Sequence, residues 1–134
     1  MVKGGFPKLR ERLVEEDLDA FLVSTPENRR YLSGFTGSAG YLFITKDVAV
    51  LATDFRYIEQ SMRQSPGFEI RRMSTGHDWF CDLVRETDSR RIGVESHDLT
   101  VAMYKGFTNV LRQSVHDRDV RLVETSNIVE LIRA

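Results

Sequence analysis

Cysteine is almost missing from this chain. Cys81 stands alone among 134 residues, so no internal disulfide can form, and a reducing, cytoplasmic setting is the expectation. Long apolar runs are missing too: no stretch approaches the roughly 20 residues that span a bilayer. The opening MVKGGFPKLRERL also lacks the apolar core, about 7–15 residues long, that a secretory leader carries. A protein with no membrane partner is expected. An excess of charge of one sign is absent as well, since nineteen basic and twenty acidic residues leave a net charge of -1. That balance offers a nucleic-acid backbone no electrostatic footprint, and no nucleic-acid partner is expected. The one basic cluster, Arg85 with Arg90 and Arg91, reads as a solvated helix end and strand start.

Groupings that would carry chemistry on their own are also scarce. The three histidines, His77, His97 and His116, fall in different expected elements. Only ESHD, with Glu95, His97 and Asp98, has a metal-ligating composition, and it reads instead as a polar turn leading into a helix capped near Thr100. Ser38 lies in GSAG, which lacks the spacing of a nucleophile elbow and has no local histidine. No catalytic residue and no metal ligand is therefore expected within the chain.

What is present is a regular alternation of elements. Phe6, Leu9, Leu13 and Val14 recur at helical spacing, with Pro7 suited to a first turn, which predicts a helix ending near Leu18. Ala20 to Val23 is a continuous apolar run, as in a strand buried on both faces. A short helical turn follows from Pro26 to Tyr31. The blocks Tyr41 to Thr45 and Val48 to Ala52, split by Lys46 and Asp47, predict a tight antiparallel hairpin. Helices are then expected over Tyr57 to Met62, Asp78 to Glu86 and Thr100 to Val115. Strands are expected over Phe68 to Met73, Arg91 to Val94 and Val120 to Val123. Such alternation predicts an α/β protein with helices on both faces of a mixed, mostly parallel sheet of about six strands. The closing SNIVELIRA opens a helix capped by Thr125 or Ser126 and stops without a terminating glycine, as if it continued into something else.

The most loaded stretch runs from Asn28 to Tyr57, NRRYLSGFTGSAGYLFITKDVAVLATDFRY. Its glycines invite a phosphate-loop reading, but such a loop needs a strand before it and a helix after it, and the order here is the reverse. Asp54, at the hairpin exit, is placed to cap the following helix. Arg56 then falls in a first helical turn, where a cation opposes the helix dipole and calls for an anionic partner. That partner is Asp54, a neighbouring subunit, or a ligand carboxylate held in fork geometry.

Taken in order, RLVEEDLDAFLVSTPENRRYLSGFTGSAG, the hairpin YLFITKDVAVLATDFRY, the strand RRIGVESHDLT and the closing SNIVELIRA resemble the N-terminal domain of the creatinase, prolidase and aminopeptidase P family, the pita-bread Xaa-Pro metallopeptidases. The resemblance implies a three-layer α/β domain with a ribonuclease H-like motif over residues 1–125. It makes residues 126–134 the start of a helix leading to a catalytic domain that this chain does not contain. There, two divalent metal ions (Mn, Co or Zn) would be held by two Asp, one His and two Glu, while the fragment itself carries no cofactor. The implied partners are that C-terminal catalytic domain, a second copy in a homodimer, and a proline-containing peptide substrate. Phe35, Thr36, Gly37 and Ser38 in the loop, and Asp54, Arg56 and Tyr57 at the hairpin exit, become candidates for a substrate entrance or subunit interface. Trp79 is a weaker candidate because a tryptophan on an apolar helix face is more often core. The implied function is that of a non-catalytic domain of an aminopeptidase P or prolidase; the alternative is a protein- or peptide-interaction module from a relative without catalysis.

Overall fold

A computed structural model describes residues 5–134; Met1 to Gly4, part of the segment read above for a leader, lie outside the described residues. The chain runs α1 (Gly5–Glu15), β1 (Ala20–Val23), α2 (Pro26–Ser33), β2 (Tyr41–Thr45), β3 (Ala49–Thr53), a 3-10 turn (Phe55–Tyr57), α3 (Ile58–Gln64) and β4 (Glu69–Arg72). It continues through α4 (Asp78–Thr87), β5 (Arg91–Glu95), α5 (Val101–Ser114), β6 (Arg121–Thr125) and α6 (Ile128–Arg133). The six strands form one sheet in the order β4-β3-β2-β1-β5-β6. β2 alone runs against the others, pairing antiparallel with β1 and β3, while β3 with β4, β1 with β5 and β5 with β6 are parallel. The expected mixed, mostly parallel sheet is therefore present. Among the described residues, no helix is long and apolar enough to cross a membrane.

Alternation along the central strands divides the core in two. Ala20, Leu22, Phe43, Val50, Ile92 and Val94 face α4 and α5. Phe21, Val23, Leu42, Ile44 and Leu51 face α1, Leu32 of α2, and Ile128 and Val129 of α6. Helices thus cover both faces, and β1, at the centre, is buried along its whole length, as its unbroken apolar run required. Opposite Phe21 in the β1–β5 register lies Gly93. A Cβ there would come within 2.7 Å of Phe21 Cδ1 and 2.8 Å of Leu18 Cδ1, so only glycine admits these two side chains to the layer.

Most elements lie within two residues of the sequence reading, and the larger differences are at α1, at two side-chain positions and at the start of α6. α1 stops at Glu15, because Asp17 adopts φ 56° and closes a Schellman turn, with Leu18 N donating to Leu13 O and Asp17 N to Val14 O. Without a glycine at that position, the sequence carries no stop signal. Val14 falls off the buried stripe of Phe6, Leu9 and Leu13 and is exposed; Met62 on α3 is likewise exposed while Ser61 is buried. The cap expected of Thr125 or Ser126 is not formed. Asn127 precedes α6 in a left-handed conformation, and Thr125 remains in β6 with its hydroxyl bonded to Val94 O.

Phe107 occupies the centre of an aromatic cluster, with the rings of His77, Phe80, Tyr41 and Trp79 at 4.2, 4.9, 5.7 and 6.2 Å. Trp79 is a core residue here. Burial against Phe107 pushes the His77 pKa below its usual value. A base that is harder to protonate in the folded state stabilises the fold fully above its unfolded pKa, about 6.5, and that stability falls as pH drops toward the folded value. Urea midpoints measured at pH 7.5, 6.5 and 5.5 should decline with acidity, and the decline should be shallower in His77→Phe. Parallel curves for the two proteins would remove His77 from this account.

Candidate functional site

The reversal of β2 decides which loops meet. The loop that enters β2 emerges at the same sheet edge as the exits of β1, β3 and β5, the carboxyl edge at which open α/β sheets present their crevices. Residues 34–40, the hairpin exit 54–57, the start of α2 and the ESHD turn are thereby brought together.

The loop is held from three sides. Arg29, a buried guanidinium on α2, donates from Nη1 to Gly40 O at 2.9 Å and from Nη2 to Gly37 O at 2.8 Å, with its Cζ 5.9 Å from the centre of the Phe35 ring. Burial pushes the Arg29 pKa down, yet the side chain remains a cation bonded to two carbonyls. On the second side, Thr36 N donates to Gln64 Oε1 at 3.0 Å, and the side-chain amides of Gln60 and Gln64 donate to Thr36 Oγ1 at 3.1 and 3.0 Å. On the third, Thr53 Oγ1 donates to Ala39 O, and the Ser38 and Tyr57 hydroxyls share a 2.6 Å bond. Phe35 N is taken by Ser33 Oγ at 3.1 Å. With two carbonyls turned toward Arg29 and the Phe35 and Thr36 amides already bonded, this loop is not a phosphate cradle.

The seven candidates divide by exposure. Phe35 and Gly37 are buried, and a Cβ on Gly37 would run into the Phe35 ring. Thr36, Ser38 and Arg56 are exposed, whereas Asp54 and Tyr57 are half-buried. Asp54 caps the 3-10 turn as expected, accepting from Arg56 N at 2.9 Å. The same carboxylate receives the Arg56 guanidinium in fork geometry, Nε to Oδ1 at 3.1 Å and Nη2 to Oδ2 at 2.8 Å. This bonding pulls the Asp54 pKa down and pushes that of Arg56 up. Of the three partners considered for Arg56, the structure forms the local one. The ion pair is exposed, with side-chain accessibilities of 58% for Arg56 and 24% for Asp54, and Arg56 lies over the Tyr57 ring at 5.1 Å.

Three features escaped the sequence reading. Phe55, between two candidates, is 68% exposed and has the Arg72 guanidinium 5.7 Å from its ring centre. Its signal was an aromatic immediately after the aspartate that caps the 3-10 turn. The second feature is a cavity of about 390 Å³ that opens between α2, the loop and the ESHD turn, lined among others by Ser24, Arg29, Ser38, Tyr41 and Asp98. Burial, followed by the nearby Asp98 carboxylate, pushes the Tyr41 phenol pKa up. The third is Glu95, only 3% exposed, which accepts from Ser24 N at 2.8 Å, Thr25 N at 2.9 Å and Asn28 Nδ2 at 2.6 Å. His97 Nε2 lies 3.2 Å from Glu130 Oε2 and 3.4 Å from Thr25 Oγ1, and Asp98 lines the cavity. Among the described residues no three His, Cys, Asp or Glu side chains are grouped to hold a metal ion. The residues present do not fit a two-metal centre.

Comparison with known proteins agrees with this architecture. The N-terminal domain of the cytoplasmic peptidase PepQ from Mycobacterium tuberculosis H37Rv superposes with a TM-score of 0.86 at 34% identity, covering 96% of this chain and 98% of that one. The Xaa-Pro dipeptidase from Bacillus anthracis gives a TM-score of 0.85 at 32% identity, but only 35% of its length is covered. Among curated sequences, the uncharacterized peptidase YqhT of Bacillus subtilis is 35% identical over 129 residues, 94% of this chain and 34% of that protein. The chain thus spans about a third of the YqhT sequence and 24% of the probable Xaa-Pro aminopeptidase P of Colletotrichum graminicola. The Creatinase/Prolidase N-terminal domain matches residues 6–134. With fold and sequence in agreement, the chain belongs to the creatinase/prolidase N-terminal domain family.

Proposed function

We propose that this chain is the non-catalytic N-terminal domain of a cytoplasmic, metal-dependent Xaa-Pro peptidase. Its carboxyl edge completes the substrate entrance of a catalytic domain and contributes to a homodimer. The observation that carries the reading is the rim of exposed Thr36, Ser38, Phe55 and Arg56 with half-buried Tyr57, held from behind by the Gln64 and Ser38–Tyr57 hydrogen bonds. Rigid backing of this kind suits groups that orient a substrate. Two divalent ions (Mn, Co or Zn) and their ligands belong, in this reading, to the catalytic domain. The rim would offer a peptide an aromatic surface at Phe55 and Tyr57 and a guanidinium that can exchange Asp54 for a substrate carboxylate.

Arg56→Ala in the full-length enzyme tests this. A charge-assisted hydrogen bond to substrate is worth about 1.5–3 kcal/mol, so kcat/KM for a Xaa-Pro peptide should fall on the order of 10–100-fold. The ion pair lost with it is exposed and contributes little to folding, so Tm should stay nearly unchanged. Parallel losses of Tm and activity would make Arg56 structural. A full-length protein that binds no divalent metal and hydrolyses no Xaa-Pro peptide would favour the interaction-module reading, with the same rim as its binding face.

A further inference from the structure

Two adjacent residues of α2 hold opposite sides of the carboxyl edge. Asn28 is fully buried, and its amide is spent in three directions: Nδ2 donates to Glu95 Oε2 at 2.6 Å and to Glu130 Oε2 at 2.7 Å, while Oδ1 accepts from Arg133 Nε at 2.9 Å. Glu130 and Arg133 both belong to α6, so one side chain of α2 clasps the last helix. Arg29, the next residue, holds the 34–40 loop through its bonds to Gly37 O and Gly40 O. Neither hold acts alone: Gln64 and Thr53 also bond the loop, and His97 also meets Glu130. Arg29 Nε has no partner of its own, and Glu130 Oε1 is buried without one.

α2 has only eight residues and is fixed at both ends. Thr25 makes no side-chain cap, and the two amides just ahead of the helix, Ser24 N and Thr25 N, are taken by Glu95 from the neighbouring strand; Gly34, at φ 79°, closes the other end with its amide on Arg30 O. Adjacent side chains on a helix are about 100° apart, so a roll or shift of α2 that releases Asn28 from α6 also moves Arg29 away from the loop carbonyls.

We infer that α2 is a lever that couples the docking of α6 to the conformation of the 34–40 loop, with Asn28 as its positioning residue. A pull on the last helix is then felt at the loop that the proposed function places at the substrate entrance, and that consequence rests on the proposed function. The coupling itself does not, and it is measurable in the 134-residue chain without any catalytic assay. Coupling of this kind is reciprocal and typically changes an equilibrium about fivefold or more.

The experiment follows amide and guanidinium exchange by NMR in Glu130→Gln and Arg133→Met, with Leu131→Ala, an exposed position on the same helix, as control. Exchange of the Arg29 Nε proton and of Thr36 N–H should speed up about fivefold in the first two variants and stay unchanged in the third. In the reverse direction, Arg29→Lys should speed exchange of Leu131 N–H, which bonds Asn127 O at 3.1 Å. Faster exchange in α6 while Arg29 and Thr36 keep their native rates would overturn the lever. So would native Leu131 exchange in Arg29→Lys, additive effects in Arg29→Lys combined with Glu130→Gln, or an α6 indifferent to both of its own substitutions.

Discussion

Glu95→Ala should lower the unfolding free energy by about 3–5 kcal/mol, the largest loss expected from any polar residue in this domain. The carboxylate is buried at the end of β5 and serves three donors at once, Ser24 N, Thr25 N and Asn28 Nδ2, at 2.8, 2.9 and 2.6 Å. Alanine would strand two buried backbone amides and take one of the two acceptors of Asn28 Nδ2. Each unsatisfied buried donor costs about 1–3 kcal/mol. Against a total stability of about 5–15 kcal/mol, the variant should be barely folded at 37 °C. Glu95→Gln keeps the shape and one acceptor but turns an N–H toward existing donors, and it should fall between wild type and alanine. Urea unfolding with an unchanged m-value is the measurement, and a loss below about 1 kcal/mol for Glu95→Ala would show that the edge repacks without the carboxylate.

Phe107→Ala should match that loss by a different route, at about 3–5 kcal/mol. Phe107 is fully buried, and the four rings around it would lose a common neighbour and face a cavity. Phe107→Leu separates volume from ring geometry. It keeps most of the apolar burial and forfeits the edge-to-face contacts with Phe80, Tyr41 and Trp79, worth about 0.5–1.5 kcal/mol each beyond area. A leucine variant as unstable as the alanine variant would assign the effect to those contacts rather than to the space the ring fills. Trp79 fluorescence reports the cluster directly, since its ring lies 6.2 Å from Phe107 and 5.3 Å from Tyr41.

The two residues mark the limit of what local sequence could reveal. Phe107 lies on a helix whose apolar positions were readable at helical spacing, and the hairpin around Lys46 and Asp47 emerged within one residue of its expected start, Val48 having joined the turn. Those features depend on neighbours close in sequence. Glu95 depends on donors 67 to 71 residues earlier in the chain, so ESHD could be recognised only as a polar turn before a capped helix. The turn and the Thr100 cap are there, with Thr100 Oγ1 accepting from Met103 N at 3.1 Å; the inward carboxylate was hidden because its partners are backbone amides, which no sequence pattern displays. The site candidates followed the same division. Asp54 as a cap and Arg56 as its partner were local and legible, whereas the burial of Phe35 and Gly37 under Arg29 is a tertiary fact. α6 was misjudged at its start because Asn127 supplies backbone conformation rather than a side-chain cap.

The reversed strand gives one short turn an influence beyond its size. Thr45 to Val48 joins β2 to β3 at the sheet end away from the candidate site, with the Thr45 hydroxyl accepting from Asp47 N and Val48 N and the Thr45 carbonyl held by Arg10 Nε at 2.9 Å. Side chains in a strand alternate faces, so a single residue inserted or deleted there either bulges out or slips β3 by one position against β2. A slip would exchange the faces of Val50 and Leu51 and carry Asp54, Phe55, Arg56 and Tyr57 away from Ser38. The length of that turn is therefore a ruler for the opposite edge, and substitutions within it are tolerated far more readily than a change in its residue count.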